Sequence, residues 1–333
     1  MSGWAQWLQR GWYAETPPAW PLRGLAGLYG ALLPRRLPAR QHDYPALIIV
    51  VGNIAVGGAG KTPLVIELCR YLRAQGYNPG VISRGYGGSA RQVCVVHRDS
   101  DSALVGDEPL LIHRQTAAPV VVGRQRVAAL QKLLEESSVD VVIADDGLQH
   151  DALPRDLELC LIDGRRALGN GWLLPAGPLR QPPERLATVD RVLYKQHQPA
   201  KLPLGDVLKL TLEETVHLQD EQQRPLSDWR GQHFTAIAGI ADPESFFALL
   251  RTRGLEFDCI AYADHQRYSA REVAQLERRK PLLLTSKDAV KWPRAAAAGV
   301  WEARLRMELP LSFTEWLQQR LAHLVGERAG AGA

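Results

Sequence analysis

The stretch Leu47-Ile-Ile-Val-Val-Gly-Asn-Ile-Ala-Val-Gly-Gly-Ala-Gly-Lys-Thr-Pro63 narrows the possible folds more than any other part of the chain. Leu47 to Val51 is an unbroken apolar run rich in β-branched residues. It reads as a strand buried on both faces of a parallel sheet. Leu64, Val65, Leu68 and Leu72 then recur at helical spacing. A strand, a glycine loop and a helix opening on Gly60-Lys61-Thr62 form a phosphate cradle. Main-chain N–H groups and the helix N-terminus face the anion, and bulky side chains would block its approach. Gly57, Gly58, Ala59, Gly60, Lys61, Thr62 and Pro63 are therefore the expected nucleotide-binding residues. Lys61 is placed to reach the β/γ-phosphates, and the Thr62 hydroxyl to ligate Mg²⁺. The strict G-x-x-x-x-G-K-[ST] pattern fails by one residue, because Ala55 stands where its first glycine belongs. The alternative is a strand-to-helix turn whose glycines serve packing alone. Pro63 suits a first helical turn, where N–H groups lack intrahelical partners.

From residue 45 to 195 strand and helix patterns alternate. Strands are expected near 46–51, 79–83, 93–97, 119–122, 139–144, 157–162 and 189–194. Helices are expected near 61–75, 107–115 and 124–136, with a short one after 165. This alternation predicts an α/β fold of the P-loop NTPase type: a mostly parallel sheet with helices on both faces. Ligands in such sheets gather at the C-terminal ends of strands.

Four strand-end stretches carry chemistry. In Ser83-Arg-Gly-Tyr-Gly-Gly88, Arg84 suits a phosphate and Tyr86 a substrate, unless the stretch is a plain turn. In Gly106-Asp-Glu-Pro109, Asp107 opens a helix, where an acidic residue commonly caps. Val139-Asp-Val-Val-Ile-Ala-Asp-Asp146 is an apolar strand ending in two carboxylates. Such a stretch can be a plain strand and turn, but with a phosphate loop upstream Asp145 and Asp146 are expected to hold Mg²⁺, directly or through water. Gln149 and His150 add polar groups to the same loop. The Gly- and Pro-rich stretch 164–184 is too long for a regular element and forms either a functional loop or a solvated connector. Arg165, Arg166 and Arg180 could grip an anion there, and Trp172 and Leu173 an apolar group.

Residues 196–203 read as a linker into a smaller α/β unit. Its strands are expected at 205–218, 234–238, 257–261 and 282–284. Helices are expected from Pro243, from Ser269 with Glu272 at capping-box spacing, and over 311–326. The expected division is 1–40, 41–200 and 201–330. Asp264-His265 lies at a strand-to-helix turn, as a catalytic pair or as a cap with a surface histidine.

Residues 1–36 carry two amphipathic stripes: Trp4, Trp7, Leu8 and Trp12, then Leu22, Leu25, Leu28, Tyr29, Leu32 and Leu33. Arg10, Arg23, Arg35, Arg36 and Arg40 flank them. Such stripes either lie in a membrane interface or pack on their own domain, and the two uses are compatible. No run of about 18 apolar residues predicts a transmembrane helix, and no secretory signal is read. The net charge of +4 over 333 residues suits an anionic substrate or membrane and does not require nucleic acid. Cys69, Cys94, Cys160 and Cys259 form no C-x-x-C pair, so free thiols are expected and structural zinc is not.

The residues read so far leave two classes open: a small-molecule or lipid kinase, and a P-loop ATPase switch that signals to a protein partner. Val56 stands where partner-switching ATPases carry their signature lysine. The chain resembles the tetraacyldisaccharide 4′-kinase family, the lipid A 4′-kinases of Gram-negative bacteria. The resemblance spans about residues 20–320. It rests on Val51-Gly-Asn with Gly57-Gly-Ala-Gly-Lys-Thr-Pro, Ser83-Arg-Gly-Tyr-Gly-Gly, Val105-Gly-Asp-Glu-Pro, Asp145-Asp-Gly-Leu-Gln-His, Gly169-Asn-Gly-Trp-Leu-Leu-Pro-Ala-Gly-Pro-Leu-Arg, Asp264-His and Lys287-Asp-Ala-Val-Lys. Ala241-Asp242, Gln266 and Ser286 depart from the family pattern.

The resemblance implies transfer of the ATP γ-phosphoryl to the 4′-hydroxyl of a tetraacylated glucosamine disaccharide 1-phosphate, giving lipid IVA. It implies a peripheral enzyme at the cytoplasmic face of the inner membrane, with the acylated disaccharide and the membrane surface as partners and no obligate protein partner. It assigns Asp107 and His265 to the acceptor hydroxyl, Lys61 and Mg²⁺ to the moving phosphoryl, and Tyr86, Arg124, Gln149, His150 and Arg180 to substrate. Closure of the second domain over the site is expected with it.

Overall fold

The computed structural model describes residues 3–14, 16–33, 43–279 and 281–331. Helices α1 (Gly3–Trp12) and α2 (Trp20–Leu32) precede strand β1 (Leu47–Gly52), helix α3 (Lys61–Ala74) and strand β2 (Pro79–Ser83). Next come β3 (Cys94–Val96), α4 (Ser102–Val105), α5 (Asp107–Thr116) and β4 (Val120–Val122). Then follow α6 (Arg126–Glu136), β5 (Val141–Asp145), β6 (Leu157–Asp163), β7 (Arg191–Lys195), β8 (Asp206–His217) and β9 (Gln223–Pro225). The chain ends with β10 (Phe234–Ala238), α7 (Pro243–Thr252), β11 (Phe257–Ala261), α8 (Ala270–Leu276), β12 (Leu282–Thr285), α9 (Ser286–Lys291), β13 (Val300–Glu308) and α10 (Leu311–Ala331).

These elements form two compact units. The first holds the residues up to Arg84, Gln125–Lys209 and the residues from Glu308 on, and the second holds Gly85–Arg124 and Leu210–Met307. The division therefore differs from the linear one expected from sequence. The segment inserted between β2 and α6 belongs with the later strands. Its helix α5 is held there by charge and hydrogen bonds: Lys287 pairs with Glu108, Arg114 Nη1 donates to the Val290 carbonyl at 3.1 Å, and Gln115 Nε2 donates to Glu302 at 2.6 Å. α10 returns to the first unit by burying Phe313, Leu317 and Leu321. It continues past the expected stop at 326, and Arg328 near its end pairs with Asp156 at 2.9 Å.

In the first unit the strand order is β7-β6-β1-β5-β2, all parallel. Every residue of β1 and β5 is buried, as an apolar strand covered on both faces requires. The register sets Val51 opposite Asp145, so the last residue of β5 lies beside the strand end from which the glycine loop leaves. No helix forms after residue 165. Residues 164–170 are turns, and Ala167 (φ 46°), Gly169 (φ 58°) and Gly171 (φ 77°) hold left-handed backbone that a helix cannot use. The nearest helical piece is a 3-10 turn at Pro183–Ala187.

α1 and α2 pack on that turn-rich loop. Trp12 Nε1 donates to the Pro175 carbonyl at 3.0 Å, and the Tyr29 hydroxyl to the Arg180 carbonyl at 3.0 Å. The outer face of α2 leaves Trp20, Leu25, Leu28 and Leu32 exposed. Arg35, Arg36 and Arg40, and the side chains of Trp4 and Trp7, lie outside the described residues. No described helix is long and apolar enough to cross a membrane.

The second unit has the order β11-β10-β12-β13-β8, with β11, β10, β12 and β13 parallel. α7 buries Phe246, Phe247 and Leu250 on one face, against Trp229 and Phe234. α8 and α9 cover the other, where Val273, Leu276 and Trp292 meet Leu282 and Leu284. β13 is not legible in sequence, because Glu302, Arg304 and Arg306 interrupt its apolar pattern. Glu302 is buried all the same, satisfied by Gln115 and by Arg304 at 3.3 Å. The Ser269–Glu272 capping box expected at α8 is present.

Trp229 is fully buried, donates to Thr215 Oγ1 at 3.0 Å and meets Phe234 and Trp301 edge-on. Trp229→Ala removes that anchor and should destabilise the second unit by about 3–5 kcal/mol. The measurement is a urea unfolding curve followed by circular dichroism, and an unchanged midpoint would contradict the packing described.

Candidate active site

The glycine loop leaves β1 through Gly52 and Asn53. Its last residue, Gly60, is the N-cap of α3 with φ 96°, a left-handed conformation suited to glycine, and no side chain caps the helix. The first N–H groups of α3 therefore keep their hydrogen-bonding capacity for an anion. Ala55 needs no glycine, because the chain is extended there: it bridges Leu179, and Val56 N donates to the Pro178 carbonyl at 2.8 Å. The loop over residues 172–180 thus braces the glycine loop from one side.

Charge converges at the tips of β1 and β5. Lys61 Nζ lies 3.3 Å from Asp146 Oδ1 and 3.4 Å from Asn53 Oδ1. Arg180 Nη1 donates to both Asp146 oxygens at 3.2 Å and to Gln149 Oε1 at 3.3 Å. Gln149 Nε2 donates to the Asn53 carbonyl at 2.8 Å. Burial pushes the Asp146 carboxyl up, but Lys61 and Arg180 outweigh it and hold the carboxyl below its usual range. This pairing contributes stability above the ordinary carboxylate range and is lost as pH falls through the depressed value. Asp145 is buried. Ser83 Oγ donates to its Oδ2 at 3.2 Å, and Arg126 Nη2 to its carbonyl at 3.3 Å. Thr62 is buried beside the loop. His150 Nδ1 is buried without a hydrogen bond among the described residues, and burial, reinforced by Arg126, lowers that imidazole's pKa.

The second cluster belongs to the second unit. Gly106 (φ 92°) precedes α5, and a Cβ there would sit 2.7 Å from the Tyr86 carbonyl oxygen. Asp107 is the first residue of α5 and accepts from a side chain, His265 Nδ1, at 3.0 Å. The cap reading of Asp107 therefore gives way to a carboxylate–imidazole pair on a helix N-terminus, where the macrodipole favours negative charge. His265 holds left-handed backbone (φ 60°), as Asp146 does in the first cluster (φ 53°). Such conformations are uncommon for residues with a Cβ and are held by their surroundings. The Tyr86 ring lies 5.6 Å from the His265 ring, and Asp264 Oδ2 lies 3.9 Å from His265 Nε2. Lys287 pairs with Glu108 and is raised: burial opposes this, but Glu108, Asp264 and Asp107 overcome it. Arg124 is exposed in this unit.

The profile of the tetraacyldisaccharide-1-P 4′-kinase family (LpxK) matches residues 18–322. A tetraacyldisaccharide 4′-kinase of Nitrosococcus oceani is 41% identical over 322 residues, which cover 94% of either chain. One of Dechloromonas aromatica is 43% identical, covering 95% of this chain and 98% of that one. A crystal structure of LpxK from Aquifex aeolicus, described as in complex with ATP, superposes with a TM-score of 0.73 at 24% identity, over 90% of this chain and 97% of the other. The chain belongs to the tetraacyldisaccharide-1-P 4′-kinase family. This membership supports the kinase reading over the signalling switch, and the last comparison supports the fold alone.

In this family member, the residues expected at the site fall into two clusters. Gly57 to Pro63, Asp145, Asp146, Gln149, His150 and Arg180 gather in the first unit, and Tyr86, Asp107 and His265 in the second. Arg180 serves the Asp146 carboxylate, a role its place in a Gly- and Pro-rich loop did not indicate. The sequence reading missed Asn53, Ser83 and Arg126, which support Lys61 and Asp145. It also missed Tyr13 and Asp163, which line the pocket beside the loop with Arg166, whose guanidinium lies 5.8 Å from the Tyr13 ring. The available signal was position: Asn53 directly follows β1, Ser83 ends β2 and Asp163 ends β6.

The His265 imidazole is raised above its ordinary pKa, first by the hydrogen bond to Asp107, against burial, and then by Asp264. A raised imidazole stabilises the pair below its unfolded value, and that contribution is lost as pH rises through the raised value. In Asp107→Asn the charge-assisted bond is gone while burial remains. The His265 ring should then titrate at lower pH than in the parent, as followed by NMR. An unmoved titration would mean that Asp107 does not govern it.

Proposed function

We propose that this protein transfers the γ-phosphoryl group of ATP to the 4′-hydroxyl of a tetraacyldisaccharide 1-phosphate, releasing ADP. Family membership supports the activity, and the observation that carries the assignment of roles is the 3.0 Å contact between Asp107 and His265. A hydroxyl becomes a competent nucleophile as it loses its proton. A carboxylate on a helix N-terminus, oriented by an imidazole, is fitted to accept that proton. The acceptor oxygen then bonds to the γ-phosphorus as the bond to the β,γ-bridging oxygen breaks. Phosphoryl transfer depends on positioning and charge neutralisation more than on covalent help. Lys61 supplies a cation at the phosphates, and the N–H groups of the glycine loop and of α3 supply donors.

The residues present fit Mg²⁺. The Thr62 hydroxyl and the Asp145 and Asp146 carboxylates are hard oxygen donors at adjoining strand and helix ends, and Mg²⁺ takes few protein ligands beside phosphate oxygens and water. When bound, Mg²⁺ would neutralise charge on the phosphates. Asp146 engages Lys61 and Arg180, whereas Asp145 is turned toward Ser83. Tyr86, Gln149, His150, Arg124 and Arg180 remain the proposed substrate contacts.

The exposed face of α2 gives the acyl chains and the membrane a meeting surface. Trp20, Leu25, Leu28 and Leu32 project from it, and the Arg23 guanidinium lies 5.7 Å from the Trp172 ring. Aromatic and aliphatic side chains with a cation beside them suit the headgroup boundary. This reading puts the enzyme on the cytoplasmic face of the inner membrane as a peripheral protein.

Asp107→Ala and His265→Ala should each lower kcat by about 10²–10⁴-fold while ATP binding persists, measured as acceptor-dependent ATP turnover beside nucleotide titration. Near-parental turnover in either would remove that residue from the chemistry. Replacing Trp20, Leu25 and Leu28 together by Ala should weaken co-sedimentation with anionic phospholipid vesicles at unchanged thermal midpoint. Unchanged partitioning would return α2 to a packing role.

A further inference from the structure

The stretch Lys287-Asp-Ala-Val-Lys291 has no part in the chemistry above, yet its charged side chains crowd the first turn of α5. Asp288 is fully buried and surrounded by donors. Its Oδ2 accepts from Gly239 N at 2.8 Å and from Thr285 Oγ1 at 2.6 Å, and its Oδ1 from the Tyr268 hydroxyl at 2.9 Å. Lys291 Nζ lies 3.0 Å from that same Oδ1 and 3.9 Å from Asp107 Oδ2. The Lys291 side chain is 4% exposed, and its ammonium makes no aligned hydrogen bond among the described residues. Its ion pairs are therefore its main compensation.

A buried ammonium is costly and persists where carboxylates balance it. Asp288 already has three neutral donors, so it needs little from Lys291. The position of the charge explains more. The two cationic groups within 4 Å of Asp107, His265 Nδ1 and Lys291 Nζ, meet one oxygen, Oδ2. Oδ1 carries neither contact. Around the carboxylate, α5 contributes Glu108, the turn after β11 contributes Asp264, His265 and Tyr268, the segment before β3 contributes Tyr86, and α9 contributes Lys287, Asp288 and Lys291. Lys287 also feels the Asp107 charge but pairs with Glu108, whereas Lys291 is the buried lysine whose ammonium comes within 4 Å of the Asp107 carboxylate.

We propose that Lys291, fixed by Asp288, is a positioning residue for the proton-accepting carboxylate: it holds the Oδ2 edge of Asp107 against the protein and presents the Oδ1 edge to the acceptor hydroxyl. This rests on the role given above to Asp107. It assigns a function to the second lysine of the motif and explains why Asp288 is buried with every donor in place. Tyr268 and Thr285 become the outer supports of the same carboxylate.

The test uses the full-length enzyme with ATP and the acylated disaccharide. Lys291→Met should lower kcat about 10-fold or more, with KM for ATP within about twofold, because the loss falls on the chemical step. The acid limb of the kcat–pH profile, which reports the Asp107–His265 pair as a unit, should move to higher pH, since the pair loses a neighbouring cation. Part of the activity should return as pH is raised. Lys291→Arg should restore both kcat and the limb. Lys291→Gln, which keeps a polar end but no charge, should behave as Lys291→Met does and serves if the methionine variant does not fold. In an Asp107→Ala background, Lys291→Met should add no further loss, because its effect runs through a group already absent. A parental kcat and pH profile in Lys291→Met or Lys291→Gln would overturn the proposal. So would a loss that is unmoved by pH, additive with Asp107→Ala and matched by a fall in thermal midpoint. If Asp107→Ala itself retains turnover, the reading of Asp107 fails. If Asp107→Ala is inactive and the Lys291 variants are parental, only the inference about Lys291 fails.

Discussion

The parallel pairing of β1 with β5 is the constraint on which the first unit rests. With Val51 opposite Asp145, the chain must leave both strands at the same edge, one as a glycine loop and the other as a pair of carboxylates. A one-residue slip would turn every side chain to the other face of the sheet. Such a slip would also move the Asp145 end of β5 by about 3.3 Å along β1, away from the strand end from which the glycine loop leaves. Register, apolar content and chemistry are thus one requirement. Asn53, Asp146 and Gln149 of the ring follow from it, since they come just after β1 and β5, whereas Lys61 opens α3 and Arg180 reaches Asp146 from the loop after β6.

The second unit solves a different problem. Its charged groups are not at the end of a single strand. Asp107 and Glu108 open α5, whereas Lys287, Asp288 and Lys291 belong to α9, some 180 residues later in the chain. Electrostatics join them. The N-terminal turn of α5 concentrates negative charge where the helix dipole favours it, and α9 brings two lysines to meet it. A buried charge without a partner would be expensive, so each member of the cluster depends on the others being present. This interdependence explains why an inserted segment of forty residues, Gly85–Arg124, joins the later strands.

Much of this was legible in the chain. The strand, loop and helix around Gly60 were readable because apolar period and glycine content agree at that point. The carboxylates of β5 were readable because an apolar run ends abruptly in charge. β13 was not, since Glu302 and the arginines beside it mimic a surface segment until Gln115 arrives to satisfy the glutamate. The short helix expected after residue 165 did not form, because Gly169 and Gly171 take positive φ and the chain turns instead. Its local residues alone favoured a cap for Asp107, because sequence spacing cannot tell a carboxylate bonded to its own helix from one bonded to a distant imidazole; the family resemblance is what joined it to His265. The pairing of Arg180 with Asp146 was not legible, because the two lie 34 residues apart.

The sequence by itself determined the fold class, the glycine loop and its lysine, the acidic strand end and the family. All of these are local: they depend on the order of side chains along a few consecutive residues, and backbone geometry converts that order directly into strand, turn or helix. Tertiary structure alone decided which residues share a unit, which carboxylate Arg180 meets and what the buried Lys291 faces. Those are long-range pairings, set by the desolvation cost of charge, and any of several cations and carboxylates could have satisfied them until packing brought particular ones together.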